Sequence, residues 1–174
     1  MLTLEGWQKL DHTARNLAPA TTTLLLMLLF MVPLHLPNFG TITPQIALMA
    51  IFYWAVYRPD LVGPVTVGLL GLVQDALSGT PLGMNALVFL LVHSSVVSQR
   101  QLFLAHGFFI LWWGFALTAM IAGLVAWSIN SVINFGFIPF DPVLYQAICS
   151  IALFPPIAWL CSRVQRGFLG DARP

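Results

Sequence analysis

Between residues 19 and 162 this chain carries a formal charge only at Arg58, Asp60, Asp75, Arg100 and Asp141. A stretch that long and that poor in charge cannot cover itself with a solvated surface. Across all 174 residues 59% are hydrophobic and 7% charged, whereas charged residues make up about a quarter of a soluble domain. The sequence is that of an integral membrane protein. In lipid every backbone N–H and C=O must find its partner within the protein, and for apolar runs of this length that means helices. The expected fold class is an all-α membrane bundle.

Turn clusters and charges divide the apolar sequence into six runs, 19–36, 44–57, 61–77, 84–97, 104–129 and 143–162. Several are shorter than the ~20 residues an upright spanning helix needs, so their ends must extend into the connections or the bilayer must thin around them. With the N-terminus in the cytoplasm, six spans place Lys9 and Arg15 before the first, Arg58 between the second and third, and Arg100 between the fourth and fifth. Arg163, Arg166 and Arg173 follow the sixth. All seven basic residues then share one side, and the alternate connections 37–43, 78–83 and 130–142 hold none. This is the positive-inside distribution, and five or seven spans would split it.

The expected organisation is a cytoplasmic interfacial segment over 1–18, a six-helix membrane domain over 19–162 and a basic cytoplasmic tail over 163–174. In the first segment Leu2, Leu4, Trp7, Leu10, Ala14 and Leu17 recur at helical spacing among charged residues, which reads as a surface helix rather than a secretory signal. The longest connection, 130–142, leaves no room for a soluble domain.

The segment 57–87, YRPDLVGPVTVGLLGLVQDALSGTPLGMNAL, holds the one carboxylate placed inside an apolar span, Asp75. Insertion scales charge roughly 2.5–3.5 kcal/mol for such a residue at a bilayer centre, so it should face protein or water. At 100° per residue Pro64, Gly68, Gly71, Asp75 and Ser78 or Gly79 share one face, with Val62, Leu69, Val73 and Leu77 opposite. A stripe of small residues lets a neighbouring backbone come close. Three roles for Asp75 are open. It can accept hydrogen bonds from the turn at 78–80 and from Asn85, it can touch a partner in the membrane, or it can relay protons, for which His93 is the only other ionisable group nearby in sequence.

Catalytic patterns are missing. No HExxH, no Cys/His set at metal-ligand spacing, no GxSxG and no phosphate loop occurs, and Asp60, Asp75 and Asp141 fall at different membrane levels. No metal, cofactor or nucleic-acid partner is expected. His12, His35 and His106 fit interfacial positions. Cys149 and Cys161 lie ~18 Å apart along one helix, too far for a disulfide within the chain. Tyr53, Trp54, Tyr57 and Trp127 read as interfacial anchors, Trp112 and Trp113 as a buried pair, and Pro155-Pro156 should kink the sixth span.

Tyr53-Trp54, then Tyr57-Arg58-Pro59-Asp60, then the run from Gly68 through Gly71, Gln74, Asp75, Ser78, Gly79, Pro81, Gly83 and Asn85 resemble the rod shape-determining protein MreD family. The core is [GL]-x-x-[QE]-D-x-x-S-G-x-P-x-G, and length and span count fit along most of the chain. The resemblance implies a bacterial inner-membrane subunit of the cell-elongation machinery, without catalytic activity. It further implies that the protein binds the periplasmic scaffold MreC and connects it with MreB filaments and with the RodA glycosyltransferase and its penicillin-binding transpeptidase. By the same resemblance the bundle should be similar in fold to the substrate-binding subunits of energy-coupling-factor transporters, and a small-molecule transport subunit is the alternative function. Membrane lipids are expected neighbours, and a homo-oligomer is compatible with the sequence.

The topology is open to direct test. Cysteines placed at Arg58 or Arg100 should resist an impermeant thiol reagent in intact cells, whereas cysteines at Asn38 or Asn134 should react; the opposite pattern overturns the six-span arrangement.

Overall fold

The computed structural model describes residues 18–30, 44–105, 107–133 and 140–169, and all regular structure in them is helical. Six helices follow in order: α1 (Ala18–Phe30), α2 (Ile46–Tyr57), α3 (Pro64–Ser78), α4 (Met84–Ala105), α5 (Gly107–Ile133) and α6 (Asp141–Leu169). The last three are long and apolar enough to cross a membrane, and the first three are shorter apolar helices. Residues 1–17 of the expected interfacial helix, the connection 37–43 and residues 134–139 of the connection 130–142 lie outside the described residues, as do Lys9, His12, Arg15, His35, His106 and Arg173.

α2 has 12 residues, about 18 Å at 1.5 Å per residue, against a hydrocarbon core of about 30 Å. It avoids that mismatch by not facing lipid. Every residue from Ile46 to Val56 is buried, as a helix apolar on all sides must be. α4, α5 and α6 pack around it, and Leu26 and Met27 of α1 join the same core. Inside, Phe52 of α2 meets Phe103, Phe115 and Phe154 edge-on with centroids 5.4–5.8 Å apart, while Phe115 and Phe154 stack at 4.3 Å. One aromatic knot thus ties α2, α4, α5 and α6 together.

Polar contacts fix the helix directions. The Gln45 N–H at the start of α2 donates to Ser150 Oγ of α6 at 3.0 Å, and Tyr53 near its end donates to Gln165 Oε1 at 2.9 Å. Those two pairs advance together, so α2 and α6 run parallel. α5 and α6 run antiparallel, since Trp112 meets Ile151 and Trp127 meets Phe140. Phe103 lies against Gly114 while Asn85 and Phe89 share a cavity wall with Ala126 and Asn130, so α4 and α5 are antiparallel, and Gly71 against Ala86 with Val62 against His93 shows the same for α3 and α4. Direction therefore alternates from α2 to α6. Arg58, Arg100, Arg163 and Arg166, the described basic residues, share one end of the bundle, as the six-span reading requires.

Several local expectations change. The polar stretch 98–103 was expected to separate two spans, but α4 continues through it to Ala105. It contains no glycine or proline and is rich in good helix formers; the break falls at Gly107, whose φ of 76° suits glycine. Tyr53 and Trp54 are 4% and 0% exposed, inside the core, and of that trio only Tyr57 reaches the surface. The expected Trp112-Trp113 pair divides, with Trp113 61% exposed on the outer face of the bundle.

At Pro155-Pro156, α6 runs on without interruption. Proline 155 cannot donate to the Ile151 carbonyl four residues back. The Trp112 indole N–H takes its place, donating to that carbonyl at 3.0 Å. Replacing Trp112 with Phe keeps the packing and leaves the carbonyl unpaired, at an expected cost of about 1–3 kcal/mol, whereas Trp113→Phe should change stability by less than about 0.5 kcal/mol. Thermal unfolding of the two variants in the same detergent checks this, and equal melting points would contradict it.

Candidate functional site

α3 begins at Pro64, a residue suited to the first helical position, and ends at Gly79, where φ is 65° and the amide donates back to the Asp75 carbonyl. The left-handed residue is what stops the helix. Thr80 N–H bonds the same carbonyl at 3.2 Å, and the chain then turns through Pro81, Leu82 and Gly83, with φ of 95° at Gly83. Met84 N–H donates to the Pro81 carbonyl at 3.1 Å, opening α4.

The Asp75 side chain is 0% exposed and lies in the last turn of α3, at the end of the bundle away from the arginines. Four donors converge on it. Oδ1 accepts from Thr80 Oγ1 at 2.8 Å, from Asn85 N at 2.9 Å and from Asn85 Nδ2 at 2.9 Å; Oδ2 accepts from Gly83 N at 2.8 Å. Asn85 Nδ2 also reaches Thr80 Oγ1 at 3.2 Å, which closes the network. Two of these donors are backbone N–H groups at the start of α4, where no intrahelical acceptor exists. Asp75 therefore caps α4 from a neighbouring helix, with its negative end at the positive end of the α4 dipole. At about 1 kcal/mol net per bond, four bonds match the roughly 2.5–3.5 kcal/mol charged by insertion scales for an acid in the membrane.

Below this cap α3 and α4 touch through backbone. A Cβ added at Gly71 would overlap the Ala86 Cα and stand 2.7 Å from its N. Gly68 is looser, 3.8 Å from Leu90. Of the face expected from helical spacing, Gly71 and Asp75 are buried, Gly68 is half-buried, and Pro64, Ser78 and Gly79 are exposed. Val62, expected opposite, precedes the helix and is 2% exposed, and its carbonyl lies 2.8 Å from His93 Nε2. A carbonyl only accepts, so Nε2 carries the hydrogen. His93 sits eight residues beyond Asn85, ~12 Å along α4, and its bond is to backbone at the far end of α3. No step of a proton chain links it to Asp75 among the described residues.

Ser78 accepts from Gln74 Nε2 at 2.8 Å and does not reach Asp75. Arg58 and Asp60 form a separate pair at 3.1 Å near the basic end. Partial burial pushes the Asp60 carboxyl up, but the Arg58 hydrogen bond, its own backbone N–H and the charges of Arg58 and Arg100 outweigh this and hold it below the usual carboxylate value. Pro59 lies in that same turn. The sequence-predicted residues thus form two groups, Arg58-Pro59-Asp60 at one end and Gly71, Asp75, Gly79, Pro81, Gly83 and Asn85 towards the other. The Gly83 amide was not foreseen, because backbone donors leave no mark in composition.

Beside the Asp75 turn a cavity of about 530 Å³ opens among α1 to α6. Its wall includes Gln45, Gln74, Asn85, Asn130 and Gln146 and, among the described residues, no charged side chain. Among the described residues no three His, Cys, Asp or Glu side chains come together in a way that could hold a metal.

The described residues define an all-helical membrane protein in which Asp75, buried in the last turn of α3, is bonded to the start of α4. The family comparison agrees: the chain belongs to the rod shape-determining protein MreD family, whose model matches residues 13–164. No solved structure matches it.

The two classes of substitution here separate by size. Asp75→Asn keeps one acceptor oxygen and sets an amide against the Gly83 N–H, so it should cost about 1–3 kcal/mol, whereas Asp75→Leu strands all four donors and should cost more. Gly71→Ala forces backbone apart and should cost about 1–3 kcal/mol, while Gly68→Ala should be nearly neutral. Melting temperatures of the four purified variants give the order, and a Gly68→Ala variant less stable than Gly71→Ala would refute the packing account.

Proposed function

We propose that the protein is a non-catalytic subunit of the cell-elongation complex in the bacterial inner membrane, that it binds the MreC scaffold, and that it thereby supports peptidoglycan synthesis and cell shape. It connects that scaffold with MreB filaments and with RodA and its penicillin-binding transpeptidase. The basic end faces the cytoplasm by the positive-inside rule, with both termini there. This orientation puts the Asp75 turn on the periplasmic side, where MreC lies.

The observation that carries the contact is the state of α3. Among helices α2 to α6 it packs against α4, with Val65, Leu69, Leu72 and Val73 exposed, and it ends in a turn whose Leu82 is 78% exposed. An apolar stripe in lipid is ordinary by itself. A rigid, four-bonded turn that carries an apolar side chain beyond the helix end is not, and it suits a protein contact. Arg58, Pro59, Asp60, Gly68, Gly71, Asp75, Ser78, Gly79, Pro81, Gly83 and Asn85 serve this arrangement as structural rather than catalytic residues.

The cavity beside Asp75 favours a second reading, a vitamin-type substrate-binding subunit of the energy-coupling-factor kind, since carboxamides over an apolar floor suit an uncharged polar ligand. Affinity capture of the tagged protein from native membranes, with depletion in the source organism, decides between them. Recovery of MreC and rounding or widening of depleted cells is expected. Recovery of an ATPase pair, with normal cell shape and a vitamin requirement, would replace the first reading with the second.

A further inference from the structure

At the basic end, on the far side of the bundle from Asp75, a second cavity of about 500 Å³ lies between the end of α2, the start of α5 and α6. Its floor is apolar, formed by residues such as Phe108, Leu111 and Pro155, and its mouth carries Tyr57, Gln165 and Arg166. Tyr53 donates to Gln165 Oε1 at 2.9 Å. Gln165, which lines the cavity, also carries two amide N–H donors. Tyr57 and Arg166 form no hydrogen bond or ion pair with any other described residue. Among the described residues no carboxylate lines the space. A second cation stands at the rim, where Arg163 lies over the Trp159 ring at 5.1 Å, and Trp159 is itself part of the lining.

The donors of Tyr57, Gln165 and Arg166, a second cation at the rim, no carboxylate among the described lining residues and an apolar floor describe one kind of occupant. We propose that this cavity binds a single anionic phospholipid from the leaflet at the basic end. The phosphate would accept from Arg166, Gln165 and Tyr57, and the upper part of an acyl chain would lie along Phe108 and Leu111. The interfacial level is the right one, because the arginines that mark this end sit where headgroups begin. Nothing in the proposal depends on MreC binding, which concerns the opposite end.

Native mass spectrometry of the full-length protein, released from vesicles of phosphatidylglycerol and phosphatidylcholine in equal amounts, tests it. Wild type should retain phosphatidylglycerol over phosphatidylcholine, and Arg166→Gln should reduce that preference about fivefold, the scale of one basic residue at a lipid surface. Phe108→Trp, which fills the floor and keeps every charge, should also lower retention. Arg100→Gln, at the same end but outside the cavity, should leave it unchanged. Equal retention of the two lipids by wild type would overturn the proposal. So would an equal loss in Arg100→Gln and Arg166→Gln, or full displacement of the lipid by free glycerol phosphate, which would mark a phosphate site with no use for the chain. Should Arg166→Gln fail to fold, the Phe108→Trp and Arg100→Gln pair decides alone: loss in the first without loss in the second supports the site, and any other result refutes it.

Discussion

The first N–H groups of a helix have no partner inside it, and in a membrane-embedded bundle water is not there to supply one. At the start of α4 the partner is a side chain from the preceding helix, the Asp75 carboxylate, which accepts from Gly83 N and Asn85 N at 2.8 and 2.9 Å. This bond set decides several other features. It requires Gly79 and Gly83 at positive φ, so that the chain can reverse within a few residues. It brings α3 and α4 so close that position 71 has no room for a Cβ. Among helices α2 to α6 the partner of α3 is α4, and that hairpin is closed at its end by hydrogen bonds and not only by packing.

The same problem is solved elsewhere by borrowed side chains. Ser150 receives the free N–H at the start of α2, and the Trp112 indole replaces the donor that Pro155 lacks. His93 ties α4 to the Val62 carbonyl just ahead of α3. Each is a polar atom from one helix spent on the backbone of another segment. Because lipid gives helices no hydrophobic reason to associate, such bonds, the aromatic knot around Phe52 and the Gly71 contact supply much of the specificity of the bundle.

How much of this was legible in sequence follows from range. Membrane class, helical content and the segregation of arginines depend on composition and on order along the chain, and they could be read directly. The Asp75 partners Thr80 and Asn85 lie within ten residues, so they too could be named. Ser78 does not serve as a partner because it is still helical and lies on the exposed side of α3, where its hydroxyl accepts from Gln74. Gln45 with Ser150 are 105 residues apart and Trp112 with Ile151 are 39 apart; such pairs exist only after packing. The placement of Tyr53 and Trp54 failed for the same reason. Aromatic residues near a span end suit an interface equally well, and only the central position of α2 sends them inward.

The central claim is that the Asp75 turn is built to hold a rigid surface at Leu82 and along α3 against MreC. Photo-crosslinking in native membranes tests it most directly, with the probe at Leu82, at Leu69 and, for comparison, at Leu117 on the exposed face of α5. The account predicts that MreC is captured from Leu82 and Leu69 and not from Leu117, and that Asp75→Leu abolishes capture from Leu82 while the protein still inserts. Capture from Leu117 alone, or from Leu82 undiminished in Asp75→Leu, would contradict it.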